Sequence, residues 1–276
     1  MATRIAPMSR ARRRLIGSAT AGTALIVAAL LIPGITANAA IVPTVPLGTS
    51  ANYAVLGGST VTNTGNSVLN GSLGLSPGTS VTGFPPGLVN PPGTTDVTNA
   101  AAAQAQSDLT AAYVNAAGRS LTATTTSDLA NLNLQPGVYA GPSKGALGLT
   151  GPLTLDGAGD PNAVFIFQTD STLITGSGST VTLINGAQEC NVFWVVGSSA
   201  TLGTGSTFVG NILALSSITV NTNVTVHGRA LARNAAVTLD ADTFTKPTCA
   251  TATTTTTTVP TAPAASPVVG TPKFTG

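Results

Sequence analysis

Four segments between residues 172 and 243 superimpose on one another at a nearly constant interval, and few folds accommodate such a pattern. They read TLITGSG from Thr172, TLGTGSTFVG from Thr201, ITVNTNVTVHG from Ile218 and VTLDADTF from Val237. Thr204 to Thr222 and Gly210 to Gly228 are both 18 residues apart, Thr219 to Thr238 is 19, and Thr172 to Thr201 is 29. The longer step predicts a bulging loop through Gly186 to Glu189. A period near 18 with β-branched residues and corner glycines suits one turn of a parallel β-helix, three short strands joined by tight bends. Leu173, Leu202, Val220 and Leu239 fall in one column, with Thr172, Thr201, Thr219 and Thr238 one residue before them. Alternation along a strand sends the leucine column to the core and the threonine column to the surface.

Composition agrees with one repetitive, mainly β domain: 7% of residues are charged and 4% aromatic, so narrow rungs must pack through small side chains. The formal charge of +2 misleads, because Arg4, Arg10, Arg12, Arg13 and Arg14 precede a mostly apolar run over residues 15–35. With Ala37-Asn38-Ala39 before Ala40, residues 1–39 read as an export signal. Gly17, Gly22, Pro33 and Gly34 interrupt the apolar run and argue against a membrane anchor; the arginine pair before Leu15 also suits twin-arginine export. Without that segment the net charge is −3, and no basic patch remains for nucleic acid. Cys190 and Cys249 are the only cysteines, and in an exported chain they are expected to bridge the start of the Phe193-Trp194 rung to the end of the last coil, free thiols being the alternative.

Ahead of the repeats, residues 53–84 share their grammar: Val61-Thr62-Asn63-Thr64 followed by Gly71 mirrors Val220-Asn221-Thr222 followed by Gly228. This segment is expected to dock beside the later rungs. After Pro85, Pro86, Pro91 and Pro92, a helix is predicted from an N-cap at Thr95 or Asp96 to about Ala117, with Gly118 as its stop. Val97, Ala101, Ala105, Leu109, Ala112, Tyr113 and Ala116 make its narrow apolar stripe. With no basic flank, the helix is expected to pack on a sheet and not on a membrane. Residues 211–215 (NILAL) and 229–233 (RALAR), apolar on both sides, are the strands to receive it. Residues 251–276 form a Thr/Pro-rich tail, expected to be a disordered stalk with contacts to cell wall or glycans; its PKFTG ending is similar to the end of a cell-wall sorting signal.

Catalytic groups are sparse. His227 and Arg229 are expected to point outward at a corner, with Asp240 and Asp242 capping turns, and adjacent rungs supply no cleft for paired carboxylates. Asp156 and Asp160 provide too few ligands for calcium and fit turn positions. No metal site, cofactor or enzymatic activity is expected. The polar surface remains. Thr175, Thr204 and Thr222 align, as do Thr207 and Thr225, which repeats hydroxyl and methyl groups at about 4.8 Å, near an oxygen repeat in ice.

The stretches VTNTGNSVLNGSLGLSPGTSVTGF, AQAQSDLTAAYVNAAGR, GDPNAVFIFQTDSTL, CNVFWVVGSSATLGTGSTFVGNILA and VHGRALARNAAVTLD, in order over residues 47–246, resemble the microbial ice-binding protein family. The resemblance implies a discontinuous right-handed β-helix over residues 40–250 with one long α-helix along one face. It also implies ice binding through a sheet face with repeats of the form Thr-Ala/Gly-x-Thr/Asn. Thr204-Gly205-Ser206-Thr207 fits, whereas Thr175-Gly176-Ser177-Gly178 lacks the last hydroxyl, Thr222-Asn223-Val224-Thr225 has Asn in place of a small residue, and Ala241-Asp242-Thr243 puts a charge at the edge. The candidate contact set is therefore Thr175, Ser177, Thr201, Thr204, Ser206, Thr207, Thr219, Thr222 and Thr225 of an exported, monomeric protein. A cell-surface structural or adhesive β-helix without ice activity is the alternative reading.

Overall fold

A computed structural model describes residues 42–250; the expected export signal and tail lie outside the described residues. The domain is a stack of rungs built from parallel strands, mainly β with one long helix. One wall is a seven-stranded sheet in which Leu147–Leu149, Leu173–Thr175, Ala200–Leu202, Ile218–Val220, Val237–Asp240, Thr60–Thr64 and Ser80–Thr82 follow one another. The other two walls belong to a single fifteen-stranded sheet, because Thr207–Ala214 and Thr225–Ala232 run through the bend between them. That bend sits at Gly210 and Gly228, which pair in register. Gly210 has φ +115°, and a Cβ on Gly228 would lie 1.8 Å from the Gly210 carbonyl oxygen, so the glycine column seen in the sequence is required by close backbone approach.

The stack is discontinuous in sequence. The earliest rung docks on the latest: Val55 pairs with Ala230, Val61 with Val237 and Val68 with Thr243. The chain must then return to the far end of the stack, and the helix Ala100–Ala117 does this. Its 18 residues span about 27 Å, most of the roughly 38 Å covered by nine strands at their usual spacing. Ala105, Leu109, Ala112 and Ala116 are buried against Leu56, Ile166, Phe193, Val195, Leu213 and Leu231, so strands 211–214 and 229–232 receive it as expected. Small side chains on the helix let it lie close to the sheet. Gln106 donates to the carbonyls of Gly57 (2.8 Å) and Ala232 (3.0 Å), while Gln168 donates to those of Ala116 (2.8 Å) and Arg119 (2.9 Å) at the helix end.

The helix starts later than its sequence suggests. Thr95–Val97 is a strand paired with Leu73, Gly74 and Leu75, and Asn99 is the N-cap, accepting from the Ala102 amide at 2.9 Å. Ala101 is accordingly exposed. The 18- and 19-residue intervals hold, but the longer step is 27 and not 29: Leu173 pairs with Ala200 and Ile174 with Thr201. Thr172 therefore lies one outward row away from Thr201, and Leu202 is not the partner of Leu173. The extra length does form a loop, ending in the 3-10 turn Glu189–Asn191.

Inside the rungs, Phe167 stacks on Trp194 at 4.2 Å, Phe208 lies tilted against Trp194 at 5.0 Å, and the Trp194 indole donates to the Val209 carbonyl at 3.0 Å. Cys190 and Cys249 are bonded, with Cα atoms 5.6 Å apart and a sequence separation of 59. Closing a loop of that length removes unfolded-state entropy worth about 4 kcal/mol. The paired substitution Cys190→Ser with Cys249→Ser is therefore expected to lower unfolding free energy by up to about 4 kcal/mol, read by denaturant titration against the parent with and without reductant.

Candidate functional site

The seven-stranded sheet is the wall with neither helix nor loop across it. Leu173, Ala200, Ile218, Val237 and Val61 point inward and are buried, so the next residue of each strand points out. Strand pairing sets these outward residues in one row: Gly148, Ile174, Thr201, Thr219, Thr238, Thr62 and Thr82. Five threonines thus occupy five successive strands, at about 4.8 Å per step. A second outward row precedes the inward column with Thr172, Ser199, Ser217, Ala236, Thr60 and Ser80. The rows are tied internally: Thr62 donates to Thr238 at 3.3 Å, and the hydroxyls of Ser199 and Ser217 lie 2.9 Å apart. Ile174, 53% exposed, interrupts the first row before Gly148.

Thr201 and Thr219 are placed as expected, adjacent in this row. The remaining candidates separate, because the chain turns a corner where the sequence reads as a flat repeat. Gly178, Gly205, Asn223, Ala241 and Gly65 all have φ between 55° and 70° and stack on successive rungs. Thr175 faces inward, 4% exposed, and its hydroxyl accepts from the Gly203 amide at 2.8 Å. Ser206 is also buried, at 1%. Neither is a surface residue, which corrects both expectations. Ser177 and Thr204 are exposed on the corner, and Thr222 there is half-buried with its hydroxyl donated to the Asp240 carboxylate. Thr207 and Thr225 pair with each other beyond the corner, on the neighbouring wall.

The candidate contact set omitted Thr62, Thr82, Thr60, Ser80, Ser199 and Ser217, and also Thr172 and Thr238, which the sequence placed only in the outward column. A signal was present for the first two, since Val61-Thr62 and Val81-Thr82 repeat the inward–outward pair of Ile218-Thr219 and Val237-Thr238. Their place in the row follows from the docking of the early rungs, which periodicity alone does not register.

The titratable groups serve the scaffold. His227 Nδ1 lies 3.3 Å from Glu189, and both side chains are partly exposed. Arg229 is buried, contrary to the outward placement expected of it, and burial lowers its pKa to about 10. Asp156 and Asp160 accept from the amides of Ala158 and Asn162 at 2.8 Å, as turn residues do. Asp242 is fully buried and accepts from the amides of Val224 and Asp240, each at 2.9 Å. Desolvation outweighs those bonds and raises its pKa to about 7. Among the described residues no group of three or more His, Cys, Asp or Glu is placed to hold a metal.

The Asp242 shift has a defined sign. The folded state holds its proton more tightly than the unfolded chain, so stability is highest below the ordinary carboxylate range and falls as pH rises toward about 7. Melting temperature is expected to decline between pH 4.5 and pH 7, above the range in which Asp96, Asp108, Asp128 and Asp156 titrate, since their carboxyls are held low by hydrogen bonds. Asp242→Asn is expected to lower stability and flatten the decline; a parent whose melting temperature is constant over that window would contradict the assignment.

A parallel β-helix closed by its own early rungs, backed by one helix and bare on a hydroxyl-lined wall, defines a class of surface-acting scaffold. The chain belongs to the Ice-binding-like family, whose model matches residues 55–245. An ice-binding protein of Nostoc sp. (strain HG1) is 54% identical over 201 residues, covering 71% of this chain and 72% of that protein. Among solved structures, an ice-binding protein from an Antarctic biological consortium superimposes with TM-score 0.71 at 45% identity, over 74% of this chain and 91% of that one. One from the Antarctic ascomycete Antarctomyces psychrotrophicus gives 0.70 at 41% identity, over 73% and 98%.

Proposed function

We propose that the protein binds ice by adsorption through the seven-stranded wall, with Thr201, Thr219, Thr238, Thr62 and Thr82 at the centre of the contact and the row from Thr172 to Ser80 beside it. The observation that carries this reading is the single register row of five outward threonines on successive strands. Each hydroxyl–water bond contributes roughly 1 kcal/mol net, so binding requires many such groups held together on a stiff support. The packed interior and the hydroxyl contacts within the rows provide that stiffness. Ser177, Thr204 and Thr222 border the contact at the corner. The proposed action is non-catalytic and needs no cofactor.

The protein is further proposed to act as a monomer outside the cell. The basic-then-apolar start of the chain and the disulfide support export, and no helix among the described residues is long and apolar enough to cross a membrane. Attachment to cell wall or glycans through residues 251–276 is a separate proposal resting on composition. The decisive experiment is a single ice crystal grown in purified protein: faceted growth and suppressed recrystallisation are expected, and smooth discs with unimpeded recrystallisation would overturn the reading.

A further inference from the structure

We infer that the protein binds a neutral saccharide in a polar cavity of about 520 Å³, at the seam where the last coil leaves the stack and the earliest rung enters it. The seam follows from the discontinuous topology. In two successive rungs the chain passes unbroken through the bend at Gly210 and Gly228. One rung on, Thr245 pairs with His227 and Asn70, the chain departs at Lys246, and Tyr53, paired with Ser72, starts the adjoining wall. Two chain ends replace one tight bend, and the space between them stays open. Its size falls within the roughly 300–1,000 Å³ of small-molecule sites.

The lining holds donors and acceptors that the fold leaves unused. Asn90 donates to Asn70 Oδ1 at 2.8 Å, which leaves the Asn70 amide nitrogen and the Asn90 amide oxygen without a partner among the described residues. Among those residues Lys246 makes no ion pair. Asp96 lines the same cavity and accepts from Tyr53 (3.0 Å), Thr94 (2.8 Å) and Asn99 (2.8 Å), so one of the about four positions on a carboxylate remains. Despite burial, bonds from Asn99, Thr94 and Tyr53 hold its carboxyl below the usual range, and it stays an acceptor. Pro91 and Pro92, both exposed, add apolar ring faces to the rim.

This chemistry selects the ligand. One ammonium and one carboxylate give the cavity no net charge, which disfavours a phosphate or a polyanion. Amides beside a carboxylate match neighbouring hydroxyls, each of which donates one bond and accepts others. Pyrrolidine faces match the C–H face of a pyranose ring. A zwitterionic amino acid would satisfy the two charges but leave the Asn70 and Asn90 amides unused. The bend joins the two walls of the fifteen-stranded sheet, away from the seven-stranded wall, so a saccharide held here leaves that wall uncovered.

Isothermal titration of the full-length protein with cellobiose, maltose and di-N-acetylchitobiose, and with L-alanine as the zwitterion, tests this. Saturable binding of at least one disaccharide is expected, with amide NMR shifts confined to the surroundings of Gly71 and Gly93. Asn70→Ala is expected to weaken binding more than tenfold at unchanged melting temperature. Asn52→Ala, at another exposed position on the lining, supplies the same reading if Asn70→Ala disturbs folding. Co-sedimentation with washed cellulose and chitin then separates a polymer from a free sugar, and either source upholds the class. No saturable disaccharide binding at millimolar concentration, binding of L-alanine alone, shifts elsewhere on the molecule, or parent-like affinity in both Asn variants would overturn the proposal. The titration reads the cavity alone, so its outcome stands apart from whether the seven-stranded wall binds ice.

Discussion

Thr219→Tyr is expected to reduce freezing-point hysteresis by more than tenfold while leaving the melting temperature of the protein within about 1 °C. Thr219 stands in the middle of the outward row, paired with Thr201 on one side and Thr238 on the other. A phenol ring there projects beyond its neighbours and lifts the whole wall from a flat crystal face. The loss is then not one hydroxyl–water bond of roughly 1 kcal/mol but those of the adjoining rows as well, and 1.4 kcal/mol already corresponds to tenfold in affinity. The fold should not register the change, because the side chain points to solvent and the inward neighbours Ile218 and Val220 are untouched. Ser107→Tyr, on the exposed side of the helix, supplies equal bulk away from the wall and is expected to retain full hysteresis. Equal loss in both variants would mean that bulk anywhere on the molecule matters and that the wall has no special part.

Arg229→Met is expected to destabilise the domain by about 3 kcal/mol or more, through loss of buried hydrogen bonds. The guanidinium donates to Asn211 Oδ1 at 2.6 Å, to the Ala51 carbonyl at 3.0 and 2.8 Å, and to the Pro247 carbonyl at 3.3 Å. Asn211 in turn donates to the carbonyls of Val192 (3.0 Å) and Cys190 (3.2 Å). One side chain thus fastens the strand before it, the lead-in to the earliest rung and the segment leading to Cys249. Methionine fills similar space but leaves those acceptors without a donor, and a buried unsatisfied acceptor costs about 1–3 kcal/mol. The effect should be local first: amide hydrogen exchange over residues 53–97 is expected to rise before that of residues 192–232. Because Thr62 and Thr82 belong to those early rungs, hysteresis should fall alongside. Uniform exchange across both segments would show that the early rungs are not held by this contact.

Much of this arrangement was legible in the sequence, and the exceptions have physical causes. Inward and outward columns follow from strand alternation, so Leu239 against Thr238 could be assigned without coordinates. That the early Val61-Thr62 segment docks beside the later rungs followed from shared grammar, though not that it meets the last of them, and the Cys190–Cys249 bond followed from residue count and expected compartment. The 27-residue register was hidden because TLITG from Thr172 and TLGTG from Thr201 match at both threonines when shifted by 29; only packing of Leu173 over Ala200 selects Ile174 for the row. Thr95 and Asp96 look like helix caps but are held in a strand by pairing with Leu73 and Gly74. The candidate surface was divided wrongly because Thr-Gly-Ser-Thr reads as alternating strand, whereas Gly205 at φ +65° turns it through a corner and buries Ser206. A positive φ leaves little trace in a chain already rich in glycine.

The pairing of the earliest rung with the latest fixes when this molecule can mature. Val55, Val61 and Val68 leave the ribosome about 175 residues ahead of their partners Ala230, Val237 and Thr243, so the N-terminal strands can at first pair only with one another and lack the neighbour on their other side until synthesis of the domain is almost finished. Contacts so distant along the chain form slowly. Until they form, the early rungs have one open flank and the domain cannot close on itself.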